Sequence, residues 1–213
     1  MSTTPLGPGI RVERQGRIAT VVFDAADKAN ALSIDVLRGL LEAARSLETE
    51  HDLSAVVLSG ARERFTMGFD LRDAARSAGL SLAERRELQA LGPRLCAAWE
   101  GIEALTIAAV EGWCVGGGVA LAVALDVRVA GEGARFYVPE IERGMNMSWG
   151  SLPRIVNLVG PARAKQLVLL AEQLGLDEAL AWGLVQYRSP RGGALEHALG
   201  LAQRAAALPP VQL

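Results

Sequence analysis

The sequence predicts an α/β fold with helix-covered sheets. Three observations carry this reading. Short β-branched runs alternate with stretches of helical apolar spacing along the whole chain. Two glycine-bearing loops each follow a predicted strand. Half of the 213 residues are hydrophobic, which is ample for one sizeable core, so residues 1–213 are expected to form a single domain.

The elements follow in order. Ile18 to Phe23 (IATVVF) is a β-branched run that predicts a strand. Ala29 to Leu32 is a turn. Ser33 offers an N-cap, Asp35 lies in the first turn, and Leu37, Leu40, Leu41, Ala44 and Leu47 recur at helical spacing, so Ile34 to Glu48 is a predicted helix. Ala55 to Ser59 is a second strand, closed by Gly60. Arg62 to Arg72 is a glycine-containing loop. Asp73 to Leu91 is charge-rich and is expected as a mobile helix or loop, and Arg94 to Ala104 as a helix. Ile107 to Val110 is a buried strand, Gly116 to Gly118 a break, and Val119 to Leu125 a buried helix. Val127 to Ala130 and Phe136 to Val138 are short strands. Ala162 to Ala171, Leu176 to Trp182 and Leu195 to Ala207 are predicted helices. No exact internal repeat or low-complexity segment is present.

The charge balance narrows the partners. With 22 basic and 24 acidic residues the formal charge is −2, which gives no electrostatic case for nucleic acid or an anionic membrane. An anionic ligand must be held by local charges. Met1 to Val12 lacks the pattern of a signal peptide. The longest apolar run, Leu105 to Ala130, contains Glu111, four glycines, Asp126 and Arg128, so it does not read as a membrane span. Cys96 and Cys114 form no metal pattern, and no metal site is expected. Both thiols are expected to be reduced, in a cytoplasmic protein, with Cys114 a packed thiol.

Chemistry is concentrated in two loops. The first is Phe65-Thr66-Met67-Gly68-Phe69-Asp70-Leu71. The second is Glu111-Gly112-Trp113-Cys114-Val115-Gly116-Gly117-Gly118, before the buried helix. Glycine lets the backbone approach a ligand and aim N–H groups at it, and a helix N-terminus adds free donors. Facing each other, such loops can form an oxyanion hole. Tight strand–helix packing is the alternative for a glycine triplet. A dinucleotide fingerprint fails at Leu121, where a glycine is required, and a phosphate loop fails because no Gly-Lys-Ser/Thr follows.

The order of these pieces resembles the crotonase family, also called enoyl-CoA hydratase/isomerase. The matching segments are Lys28-Ala29-Asn30-Ala31-Leu32, Phe65 to Leu71, Ile107 to Gly112, Gly116-Gly117-Gly118 and Asp126 to Ala130. Pro139-Glu140-Ile141, Gly144, Arg154, Val159-Gly160 and Trp182 to Val185 complete the set. The likeness runs from about Val12 to Pro210. It implies a crotonase-type spiral of ββα units, assembled as a homotrimer or dimer of trimers. It implies an acyl-CoA thioester as ligand, with coenzyme A entering as part of the substrate and no separate cofactor. Relatives usually continue after Pro209-Pro210 with C-terminal helices. The expectation is therefore that part of that region is missing here, or that a neighbouring chain closes the pocket.

At the level of residues, the resemblance implies an oxyanion hole from the N–H groups of Phe69 and Gly117, flanked by Gly68 and Gly116. Losing one such donor typically costs roughly 3–4 kcal/mol of barrier. Coenzyme A is expected along Lys28 to Ala31 and the Arg62 to Arg72 loop. Ala29, Ala31 and Met67 are candidates for backbone contact with the adenine end, and Arg72 and Lys28 are candidate phosphate contacts. A solvated surface arginine is the other reading of Arg72. Asp70, Asp126 and Glu111 read as carboxylates that brace loops.

Hydratases of the family carry two glutamates. One is present here as Glu140. The other position is Ala120, which cannot act as acid or base, and Met147-Ser148 replaces their usual Pro-Gly. One carboxylate and an oxyanion hole suffice to move a proton between the α- and γ-carbons of a 3-enoyl thioester, and burial would raise the carboxyl pKa toward a useful range. The pattern resembles the family's enoyl-CoA isomerases, with Glu140 as catalytic base. Three other readings stay open: a hydratase with a displaced second acid such as Glu142, a decarboxylase or thioester hydrolase, and an inactive acyl-CoA-binding subunit. Tyr137, Asn146 and Ser148 could enter the pocket, and Trp113, Trp149 and Met145 are expected in the acyl chamber or core.

Overall fold

The computed structural model describes residues 2–7, 9–25, 29–61, 63–76 and 79–209. A seven-stranded sheet runs through the centre. Its strands are β1 (Ser2–Pro5), β2 (Ile10–Gln15), β3 (Ile18–Phe23), β4 (Ala55–Ser59), β5 (Leu105–Val110), β7 (Val127–Gly131) and β10 (Tyr187–Ser189), in that order across the sheet. The first two pairings are antiparallel and the rest parallel. A three-stranded sheet is formed by β6 (Trp113–Val115), β8 (Arg135–Tyr137) and β9 (Leu174–Gly175).

The central strands are buried on both faces, as near-continuous apolar runs in a parallel sheet require. Alternation sorts their side chains into two cores. Val56, Leu58, Ala108 and Val110 face the larger core, which α1 (Ile34–Glu48) closes with Leu37, Leu40, Ala44 and Leu47. Ala55, Val57, Ile107 and Ala109 face α8 (Ala194–Ala206), which packs through Ala194, Ala198 and Ala202. Three alanines four residues apart let that helix lie close to the sheet.

The expected spiral of ββα units is present. Strand β5 enters the large sheet, β6 the small one, and α4 (Gly117–Ala122) follows. Strands β7 and β8 repeat the pattern before α5 (Ser151–Val159) and α6 (Pro161–Leu169). Helix α7 (Leu176–Trp182) leads into β10. Ser33 caps α1 as expected, its Oγ accepting from the Val36 N–H.

One stretch differs from its sequence reading. Of the two readings for Asp73 to Leu91, helix or loop, the helical one holds for most of the stretch, and the helix expected over Arg94 to Ala104 is continuous with it. Helix α2 (Leu71–Arg76) is followed by one long helix, α3 (Leu82–Glu100). A reciprocal capping box between Ser81 and Glu84 starts α3, and Gly101 ends it. Gly92 and Pro93, which fall between the two stretches of the sequence reading, lie inside it. Strands β1, β2, β6, β9 and β10 and helix α5 have no counterpart in the sequence reading. Strand β6 is three residues long and β9 two, too short for a period to register.

No helix among the described residues is long and apolar enough to cross a membrane.

Candidate active site

The site begins at a left-handed turn. Ala29 and Asn30 have φ of 55° and 54°, and asparagine tolerates this region better than most residues. Asn30 is fully buried and ties three segments together. Its Nδ2 donates to the Phe23 and Phe65 carbonyls at 3.1 and 2.6 Å, and its Oδ1 accepts from the Ala25 N–H at 2.8 Å. Its carbonyl accepts from the Thr66 hydroxyl at 2.6 Å. The turn therefore anchors the loop that follows β4.

That loop is strapped on both sides. The Leu32 N–H donates to the Gly68 carbonyl, and the Asp70 N–H donates to the Leu32 carbonyl. On the other side the Thr66 N–H donates to Trp113 and the Val115 N–H to Thr66. This pairing uses residues 68 and 70 and leaves the Phe69 N–H with no acceptor among the described residues. Gly68 has φ of 86°, and a methyl group built on it would lie 2.7 Å from the Val115 carbonyl oxygen and 3.8 Å from the Gly117 nitrogen. The two glycine loops therefore meet. Gly117 opens α4, so its N–H has no intrahelical partner.

Glu140 stands opposite, at the start of a 3₁₀ turn formed by Ile141–Arg143. Its main-chain carbonyl accepts from the Arg143 and Met145 N–H groups, which fixes the turn. Gly116 has φ of 51°, and a methyl group there would lie 2.5 Å from Glu140 Oε1. Glu140 Oε2 is buried without a hydrogen-bond partner. Burial pushes its carboxyl pKa up, against a smaller pull downward from its own backbone N–H and the Arg143 charge.

These groups line a cavity of about 470 Å³. Met67, Gly68, Phe69, Gly116, Gly117 and Glu140 all border it, as do Ala120, Met147 and Ser148. Trp149, Met145 and Asn146 line it too, whereas Trp113 does not. Ala29 and Ala31 lie on the adjoining turn, half-buried and outside the lining. Lys28 lies outside the described residues. Arg72 is exposed and donates to both Asp70 carboxylate oxygens, at 3.0 and 2.8 Å. Glu142 is exposed, accepts from the Tyr137 hydroxyl and is not part of the lining.

The three bracing carboxylates have defined structural partners. Asp70 holds Arg72. Asp126 accepts from the Thr106 N–H and hydroxyl, both at 2.7 Å. Glu111 accepts from the Ala194 N–H at 2.9 Å and so secures the start of α8. Cys114 is fully buried and its pKa is pushed upward by burial alone, as suits a packed thiol. His51 is exposed and His197 half-buried, and neither lines the cavity.

The sequence reading missed one wall. Asp73, Arg85, Leu88, Gln89, Gly92 and Pro93, from α2 and α3, face the same cavity. The Ser81–Glu84 capping box was the available signal that a helix starts there. Asp73 is the one carboxylate besides Glu140 in the lining among the described residues. Its Oδ2 accepts from the Ile34 N–H at 2.9 Å, at the start of α1. No described residues group as a metal site.

Fold and site together define an α/β protein with a ligand cavity between two glycine loops and one carboxylate. A family model described as enoyl-CoA hydratase/isomerase matches residues 13–213, and the chain belongs to that family. It is 34% identical to the short-chain-enoyl-CoA hydratase of Clostridium acetobutylicum over 82% of its own length and 66% of that relative. It is 33% identical to the 2,3-dehydroadipyl-CoA hydratase of Escherichia coli over 95% of its length and 77% of that relative. The crystal structure of an enoyl-CoA hydratase from Bacillus anthracis matches with a TM-score of 0.88 at 27% identity, covering 95% of this chain and 78% of that one.

Proposed function

We propose that the protein binds an acyl-CoA thioester and isomerises a 3-enoyl group through an enolate, with Glu140 as the single base. The observation that carries this is the pairing of Glu140 with Ala120. One buried, unpartnered carboxylate oxygen faces the glycine loops, and an alanine stands where the family's hydratases place a second glutamate. The N–H groups of Phe69 and Gly117 hold the thioester oxygen. Glu140 takes the α-proton, and the electron pair moves through the diene onto that oxygen. Glu140 then returns the proton to the γ-carbon, and the double bond comes to lie between the α- and β-carbons. A raised pKa helps a carboxylate that must first accept and then give up a proton. Coenzyme A lies along the Lys28 to Ala31 turn and the loop to Arg72. The reading uses no metal and no cofactor beyond the coenzyme A of the substrate.

The test follows 3-enoyl to 2-enoyl conversion and water addition together, in wild type and in Glu140→Gln and Ala120→Glu. Isomerisation in wild type, lost in Glu140→Gln and retained in Ala120→Glu, is expected. Hydration at ordinary enzyme rates without isomerisation would overturn the one-base reading.

The relatives named as hydratases favour a second reading, water addition. Its second acid would have to be Asp73, since Glu142 is not in the cavity lining. Loss of hydration in Asp73→Asn would support that reading.

A further inference from the structure

Three departures from ordinary local structure converge on one side chain. Trp149 has φ of 58°, an unusual conformation for a bulky residue. Gly92 and Pro93 stand together inside α3, where both residue types are poor helix formers. A methyl group built on Gly92 would lie 2.0 to 2.3 Å from atoms of the Trp149 indole, so the missing side chain is the space the ring occupies. At the outer edge of the six-membered ring, a methyl group on Gly117 would lie 2.7 and 2.8 Å from the same indole. Helix α3 and the start of α4 thus each leave out a side chain where the same indole lies. Strain and broken helix rules that meet at one cavity-lining residue mark a position held for function.

The orientation is fixed from the chain around it. The Trp149 carbonyl accepts from Arg154 at 3.1 Å, and Arg154 is paired with Glu100 near the end of α3. The loop is therefore tied to the helix that receives the ring. Ala120 lies three residues beyond Gly117, one turn along α4, and borders the same cavity.

We infer that Trp149 is a specificity-determining wall that keeps water away from the β-carbon of the bound acyl group. Water addition forms a bond from oxygen to the β-carbon and places a proton on the α-carbon, so it needs a water seated beside the chain. The indole borders the cavity next to Gly117 and presents an aromatic surface there, with no carboxylate to seat a water. The same wall limits the width of acyl group that fits, so straight chains are favoured over α-branched ones. This inference rests on the enolate reading above for its catalytic half but not for its binding half.

The experiment compares Trp149→Phe, Trp149→Leu and Trp149→Ala with wild type. Two ratios are measured: 3-hydroxyacyl to 2-enoyl product from a 3-enoyl-CoA, and affinity for α-methyl-branched relative to straight saturated acyl-CoA. Both ratios should rise as the side chain shrinks, with the branched preference shifting roughly 10-fold or more in the alanine variant. A merely structural role would lower both reactions and both affinities together and leave the ratios unchanged. Unchanged ratios in the folded leucine and alanine variants overturn the wall. If the alanine variant does not fold, the leucine variant decides. Wild type that turns over no 3-enoyl-CoA removes the enolate reading alone, and the binding ratio then decides the inference.

Discussion

The Glu140 carboxylate fills the space that a side chain at residue 116 would occupy: Oε1 lies 2.5 Å from the position of a methyl group on Gly116. Gly116 also has a positive φ, so a substitution there is penalised twice. Gly116→Ala should displace the carboxylate and strain the entry to α4. The expected outcome is a loss of turnover of at least about 100-fold, the lower range for removing a general base. Coenzyme A affinity should fall far less. Steady-state kinetics beside a binding titration check this, and near-normal turnover would show that Glu140 need not sit where it does.

Glu140→Gln should keep thioester binding and lose about 100- to 10,000-fold in turnover. It should also change stability in a pH-dependent way. Burial raises the Glu140 pKa in the folded chain, so the folded state binds that proton more tightly than the unfolded one. The carboxyl favours the fold below its ordinary pKa, and this contribution disappears as pH rises through the folded value. Above it, the buried charge burdens the native state. Glu140→Gln is therefore expected to be more stable than wild type near about pH 8 and equal to it near about pH 4. Thermal melts at both values decide, and a variant less stable at the higher pH contradicts the raised pKa.

The elements that were legible are those whose signal is local. Ile34 to Glu48 matched its helix because Ser33, Asp35 and the leucine spacing all lie within it. The helix read over Val119 to Leu125 was legible because seven apolar residues follow a glycine run, although α4 starts inside that run at Gly117 and ends at Ala122. What escaped depends on distant contacts. Gly92 and Pro93 fall between two stretches of the sequence reading, and the Trp149 ring, 57 positions from Gly92 in sequence, occupies the space a side chain at residue 92 would need. Arg128 was legible as part of a segment, while its task depends on residues 122 to 186. Asn30 likewise sat in a recognised motif, but its four hydrogen bonds join segments that no spacing rule connects.

Arg72 should contribute modestly to coenzyme A binding. It is exposed and paired with Asp70, so a phosphate contact there would be shared and screened by salt. Exposed charge contacts are worth about 0.2–1 kcal/mol, so Arg72→Ala should weaken binding by up to about fivefold at low salt and less at high salt. Titration at two salt concentrations tests this. Unchanged affinity assigns Arg72 to bracing Asp70.

Assembly should depend on α5 and α6. Leu152 and Val156 lie one turn apart on α5 and are 42% and 37% exposed, and Leu169 and Leu170 at the end of α6 are 55% and 67% exposed. Burying a leucine is worth about 1.5–3 kcal/mol, so covering these residues would stabilise an oligomer. Sedimentation should report a trimer mass or a multiple of it, and Leu152→Glu or Leu170→Glu should shift it toward monomer. A monomer in wild type at micromolar concentration would contradict the expectation.

The last prediction concerns stability remote from the chemistry. Arg128 is 1% exposed, and its guanidinium donates to the carbonyls of Leu184, Ala122, Leu125 and Asp126 at 2.7, 3.2, 2.6 and 3.0 Å. It also donates to Gln186 Oε1 at 2.8 Å. Burial lowers its pKa to about 10, partly offset by the Asp126 charge, so it stays protonated at neutral pH. The Ala122 and Leu125 carbonyls belong to the end of α4 and the turn after it, where intrahelical donors run out. One side chain thus closes the helix that starts at Gly117. Arg128→Met keeps much of the apolar stem and removes every donor. An unsatisfied buried polar group costs about 1–3 kcal/mol, so the expected loss is at least about 3 kcal/mol even if water reaches some of the carbonyls. For a chain of this size that corresponds to roughly 6–12 °C in Tm. Lysine should rescue poorly, because its single ammonium cannot span the fork of acceptors. Denaturant unfolding gives the measurement: a lower midpoint at unchanged slope is expected. A loss below about 1 kcal/mol would mean that water replaces the guanidinium and that α4 does not depend on it.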